Sequence, residues 1–415
     1  MLAVFLYAVL CHATPARADE SRATPASPTG PGTAINDFGF RLLRTLASKS
    51  GENVFISPLG VSLALAMAHN GAAGSTQVAI AKTLGLGSFT DDQLNHANYS
   101  LLETLKQADP AVRMEITNAL WTQSGFPINP GFLKVNQSFY DAPAQSLDFA
   151  GNPEHAVDTI NGWVNEKTHG KIPAIVQSVN PGTRLILTDA VYFKGLWKVP
   201  FDKHATAPRT FHLQAGGSVD TPMMVKTGRY PYFENENFQA IRLSYGNERF
   251  AMYVFLARKK AGLRGLISSL DEARWREWTG KLADRPVKLV LPRLELKYGK
   301  KLNDPLKLMG MTPAFDSARA DFSRIHIPPP PLSIDDVEHK TYVKVDEEGT
   351  EAAAATSVGI TATAIIGIPM QPFEMIVDHS FFCAIAEQQS GALLFAGIIT
   401  DPTVTDFPRA TKQRN

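Results

Sequence analysis

The sequence predicts an α+β fold, and three observations carry that reading. Apolar residues recur at helical spacing through much of the first third of the chain, while β-branched and aromatic runs of strand length dominate the rest. The two kinds of segment do not alternate as a βαβ repeat would require. No self-similarity at a period of roughly 20 to 50 residues is visible, which excludes repeat architectures. With 415 residues and 44% apolar content the chain can bury a large core, in one oversized domain or two ordinary ones. Formal net charge is +1, from 41 basic and 40 acidic residues, so no global field draws the protein to nucleic acid, a membrane surface or acidic substrates.

The elements follow in order. Leu2 to Cys11 is an apolar run ahead of Ala16-Arg17-Ala18, which reads as a signal peptide over residues 1–18 with a mature start at Asp19 and export as the consequence. A run of this length is too short to span a bilayer. After cleavage only Cys383 remains, so no intramolecular disulfide is expected, and its apolar neighbours make it a small buried hydrophobe. Residues 19–34, rich in Ala, Pro, Thr and Gly, read as a flexible lead-in. Phe38, Phe40, Leu42, Leu43 and Leu46 then predict an amphipathic helix over Asn36 to Ser48. Ser57-Pro58 opens a second helix, with the serine as cap and the proline in the first turn, and Leu59 to Met67 is apolar nearly all round, as in a buried helix.

Further helices are expected over Asp91 to Gln107, with an aspartate cap, and over Ala156 to Thr168. Strands are expected at Met114 to Trp121, Arg184 to Phe193, Arg249 to Leu256, Val287 to Leu296 and Thr341 to Val345. Two more follow at Phe373 to Ala386 and Leu393 to Ile399, joined by a polar turn at Gln388 to Gly391.

No G-x-S-x-G, H-E-x-x-H or phosphate-cradling glycine loop is present, and the ten histidines do not cluster at ligand spacings, so neither an enzyme, a metal site nor a cofactor is indicated. Lys259-Lys260 and Lys297 to Lys301 read as solvated turns. Asn98-Tyr99-Ser100 and Asn136-Gln137-Ser138 have the form of glycosylation acceptors.

One series of residues, taken together, resembles the serpin family of serine-protease inhibitors. It runs through Asn53-Val54-Phe55-Ile56-Ser57-Pro58, Asn161-Gly162-Trp163-Val164, Tyr192-Phe193-Lys194-Gly195 with Trp197 and Phe201, and Thr221-Pro222-Met223-Met224. It continues through Leu291-Pro292-Arg293-Leu294, Ala314-Phe315-Asp316, Ala320-Asp321-Phe322-Ser323 and Asp401-Pro402, all in the family's order. The resemblance implies a single domain over residues 35–403, followed by a tail over 404–415. It also implies helices packed around a five-stranded main sheet with two smaller sheets, and an exposed reactive-centre loop over about 347–370. Trp197 would pack at the upper end of the main sheet.

Glu347-Glu348-Gly349-Thr350-Glu351-Ala352-Ala353-Ala354-Ala355-Thr356 resembles the hinge of inhibitory serpins, although by composition alone it could be an alanine-rich helix or a linker. To become a new strand it must place alternate side chains beneath the sheet. Thr350, Ala352, Ala354, Thr356 and Val358 form that small, uncharged set, and Glu351 falls on the outer face. The family implies suicide inhibition of a serine protease through a covalent acyl complex, by a monomer. Counting from the hinge puts the cleaved bond at Thr363-Ala364, with Ala362-Thr363 and Ile365-Ile366 as neighbouring possibilities. The small or β-branched side chains there point to an elastase-like or subtilisin-like target rather than a trypsin-like one.

The resemblance also implies a polar cluster that controls sheet opening, at Ser57, Gly60, Asp189 and His339. Two of these depart from the family, which commonly has serine at the position of Gly60 and asparagine at that of Asp189. A charge-assisted bond from Asp189 favouring the His339 imidazolium is the expectation. The helix at Asp91 to Gln107 is not basic, so a heparin-type polyanion site is not supported. The competing reading is a non-inhibitory member acting as a carrier, chaperone or protease substrate.

Overall fold

The computed structural model describes residues 31–47, 51–258, 262–326, 332–350 and 371–407. The first helix, α1 (Pro31–Ala47), starts ahead of the expected Asn36 and takes residues 31–34 out of the expected lead-in. The helical register that buries Ile35, Phe38, Leu42 and Leu46 extends backwards through small residues that carry no apolar stripe of their own. After β1 (Val54–Ile56) comes α2 (Pro58–Gly71), capped as expected by Ser57, whose Oγ accepts from the Gly60 N–H at 3.1 Å. It is buried along almost its whole circumference.

Next are α3 (Gly74–Leu84) and α4 (Asp91–Lys106). The cap of α4 is Thr90, not Asp91: its hydroxyl accepts from the Gln93 N–H while Gln93 Oε1 accepts from the Thr90 N–H, a reciprocal capping box. The chain continues through β2 (Val112–Gln123), α5 (Pro130–Tyr140), β3 (Ala144–Leu147), α6 (Pro153–Lys167), β4 (Leu185–Leu196), β5 (Ala207–His212), β6 (Ser218–Glu234), β7 (Phe238–Ser244) and β8 (Phe250–Ala257). Then follow α7 (Gly262–Ser269), α8 (Glu272–Gly280), β9 (Ala283–Pro292), β10 (Leu294–Lys301), α9 (Asn303–Leu306), α10 (Thr312–Phe315), β11 (Asp336–Val345), β12 (Gly349–Thr350), β13 (Phe373–Ile376), β14 (Phe381–Glu387) and β15 (Leu393–Ile399).

Two expected strands are each divided. Val287 to Leu296 breaks at Arg293, so that β9 and β10 belong to different sheets. Phe373 to Ala386 breaks at residues 377–380, leaving β13 parallel to β9 and β14 paired with β8 and β15. In both places the β-type composition runs through the break, so composition does not mark the point where the chain changes partners.

The main sheet has the order β10-β11-β12-β4-β2-β3. Four of these lie in expected strands, β3 is a strand not expected from the sequence, and the sixth is the two-residue β12 between β11 and β4. Below it β11 and β4 pair directly and in parallel, from Asp336 opposite Ile186 to Val343 opposite Phe193. The two smaller sheets expected are joined as one nine-stranded array, because the long β6 pairs with β7 at one end and with β9 and β5 along the rest. The core lies between the sheets and around α1 and α2. A second apolar cluster covers the outer face of the main sheet, where Ala156, Ile160 and Val164 of α6 pack over Trp121, Ile186, Ala190 and Tyr192.

Candidate functional site: the hinge clasp and the seam of the main sheet

The seam between β4 and β11 carries two polar assemblies. At its upper end the chain leaves β11 through a tight turn, in which the Asp346 N–H donates to the Gly349 carbonyl at 2.7 Å, and Gly349 and Thr350 then enter the sheet. Thr350 lies opposite Val345 of β11 and Gly195 of β4, and Gly349 opposite Leu196. Gly349 has φ 148°, and a Cβ there would strike the Gly195 carbonyl oxygen and come within 2.7 Å of Leu196 Cα. No other residue fits.

Each carbonyl of this turn is held. Trp197 Nε1 donates to Asp346 O at 2.9 Å, the Phe201 N–H to Glu347 O at 2.7 Å, and the Trp197 N–H to Glu348 O at 2.9 Å. Trp197 thus packs at the upper end of the sheet, stacked 4.3 Å from Tyr245, and also binds the hinge. The Tyr245 hydroxyl meets Thr350 Oγ1 at 2.9 Å. Glu347 is buried and accepts from Arg293 Nε at 2.8 and 3.0 Å and from Thr206 Oγ1 at 2.5 Å. Burial works against its charge, but the Arg293 and Thr206 hydrogen bonds outweigh it and hold the carboxyl below its usual range. Glu348 is half-buried and pairs with the exposed Lys203.

About 20 Å along β11 lies the second assembly. His339 of β11 pairs in register with Asp189 of β4, which pairs in turn with Asn118 of β2. His339 Nδ1 lies 2.6 Å from Asp189 Oδ2, and His339 Nε2 accepts from the Ser57 N–H at 3.2 Å. With Nε2 accepting from the Ser57 N–H, Nδ1 is the ring nitrogen that faces Asp189 and can donate to it. Ser57, Asp189 and His339 are all fully buried. Burial raises the Asp189 carboxyl, an effect that His339 only partly offsets. Asp189 Oδ1 and Asn118 Oδ1 are both buried without a hydrogen-bond partner.

Gly60 belongs here for a steric reason. A Cβ at that position would run into Asp189 Oδ1 and stand 2.6 Å from Val191 Cγ2, while the Gly60 carbonyl accepts from Asn118 Nδ2 at 3.1 Å. The two departures from the family pattern are therefore in contact.

The structure brings together Glu347, Glu348, Gly349, Thr350 and Trp197 in one assembly and Ser57, Gly60, Asp189 and His339 in the other. Glu351, Ala352, Ala353, Ala354, Ala355 and Thr356, and the bond at Thr363-Ala364, lie outside the described residues. Arg293, Thr206, Tyr245 and Asn118 were not singled out as site residues from sequence. Each is remote in sequence from its partner, and only Arg293 stood in a recognisable motif.

Lys297 to Lys301 are part of β10 rather than a turn, and Lys297 and Lys301 pair with Glu295 and Asp336. Both glycosylation triplets place their asparagine inside the fold: Asn98 Nδ2 donates to Tyr140 Oη and Asn136 Nδ2 to Phe132 O. Among the described residues no helix is long and apolar enough to cross a membrane, and no group of three ligating side chains could hold a metal.

The sheet, its partly filled seam and the clasp define a class, and comparison with known proteins gives the same one. Residues 33–402 match the family described as serpin (serine protease inhibitor). An uncharacterised serpin-like protein of Thermococcus kodakarensis is 38% identical over 372 residues, 89% of this chain and 85% of its own. Among solved structures, the thermophilic serpin tengpin in its native state superimposes with a TM-score of 0.82 at 28% identity, over 89% of this chain and 93% of that one. Human thyroxine-binding globulin complexed with thyroxine superimposes at 0.83 and 26% identity, over 90% and 99%. The chain belongs to the serpin family, whose members are typically protease inhibitors and not catalysts.

Proposed function

We propose that this chain is a suicide-substrate inhibitor of serine endopeptidases, exported by its N-terminal segment and acting as a monomer. The observation that supports the reading is the placement of Gly349 and Thr350 as ladder residues between β11 and β4, at the point where an inserting strand would enter. The protease serine Oγ attacks the carbonyl of the scissile residue, the peptide C–N bond breaks, and the new amine departs with a proton. The acyl ester remains on the inhibitor. The freed hinge then continues into the seam below Thr350 and carries the ester-linked protease with it before water can hydrolyse the bond. The inward set beginning at Thr350 is small and uncharged, as insertion needs, and Thr363-Ala364 with its small neighbours suits an elastase-like or subtilisin-like pocket.

Likeness to a thyroxine-binding globulin of the same fold does not by itself choose between inhibition and ligand binding. A hinge seated between the seam strands favours inhibition. The test is incubation with pancreatic elastase, subtilisin and trypsin, read as SDS-resistant complexes. Wild type is expected to form them with the first two, and Thr350→Arg, which puts a charge into a buried ladder position, is expected to be cleaved without forming them. Complexes with trypsin alone would overturn the target class, and cleavage of wild type without complexes would overturn inhibition.

A further inference from the structure

The chain beyond β15 folds back onto the main sheet. Asn53 fixes its direction: Nδ2 donates to Asp401 O at 2.7 Å, and Oδ1 accepts from the N–H groups of Thr400 at 2.7 Å and Asp401 at 3.0 Å. Six residues past Asp401, Phe407 packs against the apolar cluster on the outer face of the main sheet. The Nζ of Lys340, on β11, lies 4.8 Å from the centroid of the Phe407 ring and donates to the Ala174 carbonyl at 2.7 Å. Lys340 therefore ties together three distant parts of the chain: its own strand, the segment that follows α6, and the tail. Burial lowers its pKa, which Glu338 partly offsets, and the partly desolvated ammonium gains from the carbonyl and the ring face beside it.

This knot lies on the seam. Lys340 pairs in register with Ala190 of β4, next to His339 and Asp189 but on the opposite face of the sheet. Two residues along, Tyr342 of β11 and Tyr192 of β4 face each other in register, with ring centroids 6.2 Å apart and planes 24° apart. One side of the outer cluster stands on β2 and β4, through Trp121, Ile186 and Ala190, and the other on β11, through Tyr342. A strand entering the seam would part β4 from β11 by about 4.8 Å. The cover could not then keep its contacts on both sides.

We infer that the segment from Thr400 to Phe407 is a strap on the closed sheet, fastened by Phe407 on Lys340, and that it slows insertion of the reactive loop. The inference rests on the inhibitory reading above. Its test uses the full-length chain carrying Phe407→Ala or Phe407→Tyr. One measurement is the rate at which heating converts the uncleaved inhibitor to an inactive, loop-inserted form. The other is the unfolding temperature before and after cleavage of the loop. Phe407→Ala is expected to convert roughly three- to thirtyfold faster, the loss of one cation–ring contact, and Phe407→Tyr at the wild-type rate. The cleaved form should unfold at the same temperature in all three. Equal destabilisation of the cleaved and uncleaved forms, or an unchanged conversion rate, would overturn the strap while leaving insertion intact. A wild type that gains no stability on cleavage would overturn insertion, and the strap with it.

Discussion

A side chain at position 60 would collide with Asp189, and the acid at 189 is buried with one oxygen unpaired, so each of these residues limits what the other can be. Gly60→Ser alone is expected to cost about 1–3 kcal/mol through overpacking, measured as a lowered unfolding midpoint. Asp189→Asn is expected to act in the opposite sense. Because burial raises the Asp189 carboxyl, the folded chain keeps a proton at pH values where the unfolded chain has released it. Stability from this group is thus fully present below the unfolded value of about 4, and is lost as pH rises through the raised one. The amide removes that loss, so Asp189→Asn should stabilise at pH 8 by on the order of 1–3 kcal/mol and by less at pH 5. Equal gains at both pH values would show that titration of Asp189 is not the cause.

Among the elements, β12 is the shortest and the most heavily fastened. Its turn is held by Trp197 and Phe201 from the segment after β4, and by Arg293, the single residue at which the chain passes from β9 to β10. The Arg293–Glu347 pair is asymmetric, since the carboxylate is buried while the guanidinium side chain keeps 44% of its exposure. Arg293→Ala strands a buried charge, whereas Glu347→Ala leaves an arginine that water can reach. The first is therefore expected to cost about 1–3 kcal/mol and the second less, read from unfolding midpoints at pH 7. Glu347 has a lowered pKa, so its contribution is present above the ordinary carboxylate value and is lost as pH falls through the lowered one. The cost of Glu347→Ala should accordingly shrink toward zero in acid. Trp197→Phe keeps the stack on Tyr245 but loses the bond to Asp346 O, and is expected to cost about 1 kcal/mol.

For the whole molecule the inhibitory reading turns on whether the seam between β4 and β11 can open to accept another strand. β4 and β11 run in parallel for eight registered pairs below β12, and a loop entering there would gain roughly ten ladder bonds at ~1 kcal/mol net each. Cleavage of the loop is therefore expected to raise the unfolding temperature by roughly 20 °C or more, measured by calorimetry on intact and nicked protein. An unchanged temperature would mean that the seam stays closed. Much of this was legible in the sequence: the α+β class, the Ser57 cap, the buried α2 and the turn before β15, because capping and periodicity are local physics. The path of Glu347 to Thr350 was not local, since only the clasp of Trp197, Phe201 and Arg293 at the upper end of the seam fixes it as a turn followed by two ladder residues. The division of Val287 to Leu296 at Arg293, the bond from the Ser57 N–H to His339, the contact of Gly60 with Asp189 and the fastening of Phe407 on Lys340 were likewise beyond the sequence. Each depends on a partner brought close by the packing of sheets and not by chain neighbourhood, and the tertiary structure alone determines which partner that is.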